Sequence, residues 1–189
     1  MWRSTSETWG SLSKLLHWGM AALILVLFGL GWTGVLLPTS PIKLEVFFWH
    51  KSLGILALGL ILIRIFWRSS EPTPRLPPMP QWQRMAARLV EGCLYLLMLA
   101  MPLSGWAIQS ASNFPFKVFG LFALPAIIEP GKAAKVLAGQ IHLTLFWIFA
   151  ALLVLHIGAA LRHHFLLRDQ VLRRMWPDWP RRPDAGRTG

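Results

Sequence analysis

The chain has 189 residues, of which 54% are hydrophobic, and its formal net charge is +11. So high an apolar content excludes an ordinary soluble domain and indicates an integral membrane protein. The lysines and arginines flank long uncharged runs instead of covering one face, so the positive charge does not indicate a nucleic-acid-binding protein. Cys93 is the only cysteine, which excludes an intrachain disulfide.

Four apolar runs along the chain are long enough to cross a bilayer as helices. The predicted spans cover about residues 15–37, 44–67, 85–110 and 135–161. Prolines interrupt residues 68–83, which are predicted to form an extended connection. Residues 111–134 are apolar but also broken by prolines, and we expect them to form an interfacial cap that lies on the membrane. Lys51 lies near one end of the second span, where a lysine can extend toward the lipid headgroups.

The basic residues are unevenly divided between the two ends of these spans. Fourteen of the 19 lie in the N-terminus, in residues 64–88 and in the tail, and five lie on the opposite side. This predicts that both termini are cytoplasmic, because positively charged loops stay in the cytoplasm. The expected fold class is an all-α integral membrane protein, an up-down-up-down four-helix transmembrane bundle formed by residues 1–177. Residues 167–175 are predicted to form a short amphipathic surface helix, and residues 178–189 are expected to be disordered.

Two histidines, His142 and His156, lie inside the fourth span, fourteen residues apart. At about 100° per residue they differ by only about 40° around a helix, so they share a face. At about 1.5 Å per residue they are separated by about 21 Å along the axis. Two such side chains on one face at two depths suggest two cofactors held one above the other. The alternative is that each is a core histidine bonded to a neighbouring helix.

Depth in the membrane pairs these histidines with two others. His17 begins the first span and lies near the cytoplasmic face, at the height of His156. His50 begins the second span, which runs inward, and lies near the outer face at the height of His142. The third span has no histidine and is expected to act as a scaffold.

Haem iron suits such pairs better than zinc does. A zinc site with only two protein ligands and no nearby carboxylate or thiolate is poor. Haem iron needs two axial nitrogens on opposite faces, and the macrocycle is apolar enough to lie between helices. The chain has no C-x-x-C-H sequence, so any haem is bound non-covalently.

Several residues near the four histidines are candidates for contacts with such a cofactor. Small residues one turn away would let a flat ring approach, although they also serve ordinary helix packing. Basic residues at the inner helix ends could pair with haem propionates, or could simply anchor the helices in the membrane. The histidines that follow His156 could contact a propionate or exchange protons with a reducible ligand, or form a solvated interfacial pair. These candidates are Gly54, Gly139 and Ala160, then Arg64 and Arg162, then His163 and His164.

Four segments resemble the bacterial cytochrome b561 family. They are residues 13–21 (SKLLHWGMA), 49–54 (WHKSLG), 94–106 (LYLLMLAMPLSGW) and 155–175 (LHIGAALRHHFLLRDQVLRRM). The resemblance covers about residues 10–177 and implies a multi-pass protein of the bacterial cytoplasmic (inner) membrane that holds two haem b groups. It implies four axial ligands to haem iron: His17, His50, His142 and His156. Members of the family often have a histidine where this chain has Glu91, so protonation or quinone contact there would use a carboxyl group or would not occur.

Two haems with histidine on both faces leave no open iron position, so such sites pass electrons. Some members of the family oxidise superoxide outside the cytoplasmic membrane and reduce ubiquinone, and the resemblance implies that reaction here. Lysines on the outer side could steer the anion toward the outer haem, or could be ordinary loop charges. They are Lys51, Lys117, Lys132 and Lys135, with Lys43 beside them. The quinone site is expected either near His163 and His164 or in a groove under the cap.

A second hypothesis is a membrane haem-b subunit that relays electrons between a hydrogenase- or dehydrogenase-like partner protein and the quinone pool. Related four-helix subunits with two haems do this. The short loops offer little docking surface for a partner, but the cytoplasmic tail and the proline-rich connection could engage one.

Overall fold

Four long helices make up most of the structure, a computed structural model that describes residues 1–75 and 78–176. They are α1 (Ser11–Leu36), α2 (Pro41–Ser69), α3 (Gln81–Ser112) and α4 (Lys132–Phe165). Each is long and apolar enough to cross a membrane. The predicted all-α four-helix membrane bundle is therefore confirmed. The predicted disorder of residues 178–189 falls outside the described residues, and the cytoplasmic location of the termini stays a prediction.

Each helix begins earlier than the predicted span, because its first turn is more polar than the apolar run that follows. In α2, Pro41 occupies the first helical position, where its missing N–H costs nothing. The side chain of Ser40 caps this helix by accepting a hydrogen bond from the backbone N–H of Lys43 at 3.3 Å. Helix α3 continues through Pro102. Apolar content therefore locates the membrane-spanning part of a helix and not its ends.

Successive helices pack against each other in chain order. A buried cluster at mid-depth consists of Ile24 of α1, Leu94 and Leu97 of α3, and Phe149 of α4. The ring of Phe28 lies 5.5 Å from the ring of Phe149, between centroids, and so connects α1 to α4. Lipid tails are as apolar as these side chains, so close packing and not removal from water holds this layer together.

The predicted interfacial cap between α3 and α4 contains a small hairpin. Strands β1 (Lys117–Val118) and β2 (Phe122–Ala123) pair antiparallel through a tight turn. The backbone N–H of Phe119 donates to Ser52 Oγ of α2 at 3.0 Å. The indole N–H of Trp106 in α3 donates to the Pro125 carbonyl at 2.9 Å. These bonds fix the cap on one end of the bundle.

The N-terminal segment and a short helix close the other end. Arg3 Nε donates to Glu71 Oε1 at 2.7 Å, and the backbone N–H of Ser4 donates to the second oxygen of the same carboxylate. The hydrogen bond from Arg3 holds the pKa of the Glu71 carboxyl below its usual range. Helix α5 (Val171–Met175) falls within the predicted surface helix. The indole N–H of Trp18 donates to the Met175 carbonyl at 2.8 Å and ties α5 to α1.

Candidate cofactor site: two histidine pairs

The structure brings the four intramembrane histidines together as two pairs. His17 of α1 and His156 of α4 have ring centroids 6.3 Å apart, with 64° between the ring planes. His50 of α2 and His142 of α4 also have ring centroids 6.3 Å apart, with 83° between the planes. These are the two pairs that depth predicts from the sequence. Phe149, midway between His142 and His156 along α4, lies in the buried layer between them.

The spacing within each pair fits one metal ion between two imidazoles. Imidazole nitrogens bind metal ions at about 2.0–2.1 Å, and the ring centre lies about 1.2 Å beyond the nitrogen, so rings on opposite sides of one ion have centres about 6.4–6.6 Å apart. The observed 6.3 Å is close to this separation. Within residues 1–75 and 78–176, no cluster of three or more His, Cys, Asp and Glu side chains could hold a metal ion. Two ligands alone fit a cofactor that supplies the remaining ligands itself, as haem does.

The hydrogen bonds of the pair His50–His142 favour the tautomer that leaves Nε2 free on both rings. His50 Nδ1 lies 3.1 Å from the Leu27 carbonyl oxygen, to which only a protonated nitrogen can donate. His142 Nδ1 lies 2.8 Å from Ser104 Oγ, whose own hydroxyl donates to the Met101 carbonyl at 2.8 Å. Both Nδ1 atoms therefore carry the proton, and both Nε2 lone pairs remain free for a metal.

A cavity of about 430 Å³ adjoins this pair. Its size is within the range of small-molecule and cofactor sites, about 300–1,000 Å³. Gly54 and Gly139 line it, and a Cβ added at either would meet nothing within 4 Å, so both leave open space beside the histidines. The cavity extends to Phe116 and Leu124 of the cap.

Two further glycines, Gly31 and Gly105, lie against the same histidines. A Cβ built on Gly31 of α1 would lie 3.1 Å from His50 Cε1. A Cβ built on Gly105 of α3 would lie 3.5 Å from His142 Cε1. The local sequence carries no signal for either contact, because each depends on the rotation of one helix against another.

The pair His17–His156 has a cationic neighbour. Arg64 of α2 places Nη2 3.1 Å from His17 Nδ1, and its Nε donates to the Tyr95 hydroxyl at 3.2 Å. Arg64 Nη1 is buried, and the described part of the chain provides it with no hydrogen-bond partner. A buried guanidinium nitrogen without an acceptor is costly, so this position suits an anionic group such as a carboxylate. Arg162, the other basic candidate, is exposed.

Helix α3 does more than the expected scaffolding. Three of its side chains form hydrogen bonds with residues of neighbouring helices. These bonds join Ser104 with His142, Tyr95 with Arg64, and Gln109 with Lys51. A helix without a histidine can therefore orient the histidines and cations of its neighbours.

Lys51 contacts residues at the end of the bundle that carries the cap. Its Nζ donates to Gln109 Oε1 at 2.8 Å and lies 5.3 Å from the centre of the Phe116 ring. Lys51 also lines the cavity beside His50. Lys117, Lys132 and Lys135 are exposed at the same end of the bundle.

The remaining candidates lie toward the end of the bundle that carries α5. His163 Nδ1 lies 2.5 Å from Asp169 Oδ2. His164 Nδ1 is buried without a hydrogen-bond partner among the described residues. Glu91 lies 3.6 Å from the guanidinium of Arg68, and its side chain is half exposed. None of these contacts assigns a role in quinone binding, which stays a prediction.

The four helices are long and apolar enough to cross a membrane, and they bring two pairs of imidazoles together inside the bundle. This arrangement defines an integral membrane protein of the kind that holds redox cofactors between its helices. Residues 8–178 match the sequence profile of the prokaryotic cytochrome b561 family. The chain belongs to that family. It is therefore a membrane electron-transfer protein of a haem-b-binding family and a multi-pass protein of the bacterial inner membrane.

Three relatives show how similar the chain is to named members. Cytochrome b561 homolog 2 of Escherichia coli (strain K12) is 37% identical over 174 residues, which are 91% of this chain and 93% of that protein. Cytochrome b561 homolog 1 of the same organism is 35% identical over 129 residues, or 68% of this chain and 73% of that protein. A protein of Yersinia pestis named probable superoxide oxidase CybB is 31% identical over 166 residues, or 86% of this chain and 92% of that protein.

Proposed function

We propose that this chain binds two haem b groups and transfers electrons from superoxide, on the periplasmic side, to ubiquinone. The observation that carries the proposal is the pair of histidine contacts, His17 with His156 and His50 with His142, each with ring centroids 6.3 Å apart. The similarity to a protein named probable superoxide oxidase supports the choice of donor. Two superoxide anions give two dioxygen molecules and two electrons, which with two protons reduce one ubiquinone to ubiquinol.

The residues of each pair provide binding and orientation. When bound, haem supplies one-electron transfer. The two imidazoles of a pair would hold the haem iron between them, so a small oxidant or reductant would exchange electrons with the cofactor without binding the iron. At the His50–His142 pair, Ser104 and the Leu27 carbonyl fix the ring orientations. The apolar cluster of Ile24, Leu94, Leu97 and Phe149 lies between the two pairs.

The lysines at the end of the bundle that carries the cap support the proposal that the electron donor is an anion. Lys51 lines the cavity, while Lys117, Lys132 and Lys135 are exposed nearby. A cluster of one sign of charge can raise the association rate of a small anion about ten- to a thousand-fold. For ubiquinone we propose two candidate positions: the groove under the cap, and the region of His163 and His164.

The test is stopped-flow spectroscopy of the purified chain with superoxide and ubiquinone. We expect reduction of the haem by superoxide, formation of ubiquinol, and loss of both when superoxide dismutase is added first. If superoxide reduces no haem above background while a chemical reductant does, the proposed donor is wrong. In that case the relay between a partner protein and the quinone pool becomes the better description.

Removing the exposed lysines of the outer end is expected to slow the reaction with superoxide. The variant Lys117→Gln/Lys132→Gln/Lys135→Gln should reduce the second-order rate constant about tenfold at low ionic strength. The difference should shrink as salt screens the charges. The matched control, Arg84→Gln/Arg88→Gln/Arg173→Gln, removes the same charge from the opposite end and should leave the rate unchanged. Equal slowing in both variants would show that net charge, not a local field, matters.

Replacing Arg64 is expected to lower the midpoint potential of the haem held by His17 and His156. Reduction adds one negative charge, which a nearby buried guanidinium stabilises. Arg64→Gln should therefore shift that potential downward on the order of tens of millivolts, at about 59 mV per tenfold change in a one-electron equilibrium. A spectroscopic redox titration measures both haems at once. An equal shift in Arg162→Gln, or none in Arg64→Gln, would contradict this role.

A further inference from the structure

A second, smaller cavity lies at the start of α3, away from both histidine pairs. It has a volume of about 370 Å³ and is lined by Met79, Gln81, Arg84, Met85 and Arg88. Among the residues that the structure describes, the lining contains two arginines, one turn apart, and no carboxylate. Two like charges at this spacing on a helix repel each other. An anion between the two guanidinium groups would relieve that repulsion.

Arg84 and Arg88 differ from several other arginines in this half of the molecule. Arg3 pairs with Glu71, Arg68 with Glu91, and Arg174 donates to the Arg75 carbonyl. Across residues 1–75 and 78–176, neither Arg84 nor Arg88 has a hydrogen bond or an ion pair from its side chain. Their charges are therefore available to a ligand.

The position of the cavity along α3 indicates which kind of anion it can bind. The helix has 32 residues, which at about 1.5 Å per residue makes it about 48 Å long, more than the hydrocarbon core of about 30 Å. Its first two turns, with both arginines, therefore reach the headgroup layer. Below them, toward the membrane centre, Leu89 and Leu96 are 69% and 66% exposed. Met85 lines the cavity and is also 63% exposed.

We propose that this cavity binds the phosphodiester headgroup of an anionic phospholipid, with the acyl chains lying along the exposed apolar side of α3. Arg84 and Arg88 contact the phosphate oxygens, for which the planar guanidinium is well suited. Basic pockets beside transmembrane helices bind anionic headgroups in this way. This site is independent of the proposed haem and superoxide chemistry.

The test is native mass spectrometry of the delipidated full-length holoprotein with equal amounts of phosphatidylglycerol and phosphatidylcholine that carry the same acyl chains. The wild type is expected to bind phosphatidylglycerol about tenfold more than phosphatidylcholine. Arg84→Gln/Arg88→Gln should lose this preference. Arg173→Gln, which removes an exposed charge on α5, should keep it. Haem content and thermal melting confirm that the variants are folded, and Arg88→Gln alone provides the comparison if the double variant is unstable.

Three outcomes would overturn the proposal. The first is no preference for phosphatidylglycerol in the wild type. The second is an equal preference in the wild type and in the variants at Arg84 and Arg88, which would place the lipid elsewhere. The third is displacement of phosphatidylglycerol by excess inorganic phosphate, because a lipid held also by its acyl chains should resist a free anion that reproduces only the headgroup charge.

Discussion

His50→Ala and His142→Ala are each expected to lower the haem content from two per chain to one and to remove the same haem. The two ring centroids lie 6.3 Å apart, so each variant would leave only one of the two imidazoles to hold the cofactor. His17→Ala and His156→Ala are expected to remove the other haem. The pyridine haemochrome assay gives the number of haems, and a redox titration shows which one remains.

His163→Ala is the control for these variants. His163 lies near the end of α4, the helix that carries His142 and His156, but its ring contacts Asp169. This variant should therefore keep both haems. The pairing would be refuted if His17→Ala and His50→Ala removed the same haem, since the structure places these histidines in different pairs.

Gly31→Val is expected to remove the haem held by His50 and His142 without changing any histidine. A single Cβ at Gly31 would already lie 3.1 Å from His50 Cε1, and the two further methyl groups of valine cannot be accommodated unless the imidazole moves. A displaced imidazole cannot bind iron at about 2 Å while keeping its hydrogen bond to the Leu27 carbonyl. The haemochrome assay should therefore show about one haem per chain.

Gly29→Val is the matched control on the same helix. A Cβ at Gly29 meets nothing within 4 Å, and the residue is exposed toward the lipid. This variant should keep two haems per chain. If both variants lost haem equally, the cause would be a general effect of valine in α1. If Gly31→Val kept both haems, the close contact with His50 would not constrain the site.

The histidine pairs could be predicted from the sequence because two simple rules were sufficient. A spacing of fourteen residues places His142 and His156 on one face at two depths. The alternating direction of successive spans then gives each of them a partner at the same height. Neither rule requires knowledge of how the helices are rotated. The structure places His17 and His50 accordingly.

The surroundings of the histidines could not be predicted, because they depend on that rotation. Gly31, Ser104 and Tyr95 reach the site from helices that do not carry the histidine or arginine they contact. The partners of Lys51 could not be predicted for the same reason. A lysine at the end of a span can extend to the headgroups, but here Gln109 and the cap provide it with partners inside the bundle.

The ratio of haem to polypeptide in the purified wild-type chain, measured together with the spin state of the iron, tests the central claim most directly. Two imidazole pairs at separate depths predict two b-type haems per chain, both six-coordinate and low-spin, with a sharp α-band after reduction. An iron content well short of two per chain, or a five-coordinate high-spin spectrum, would contradict the account.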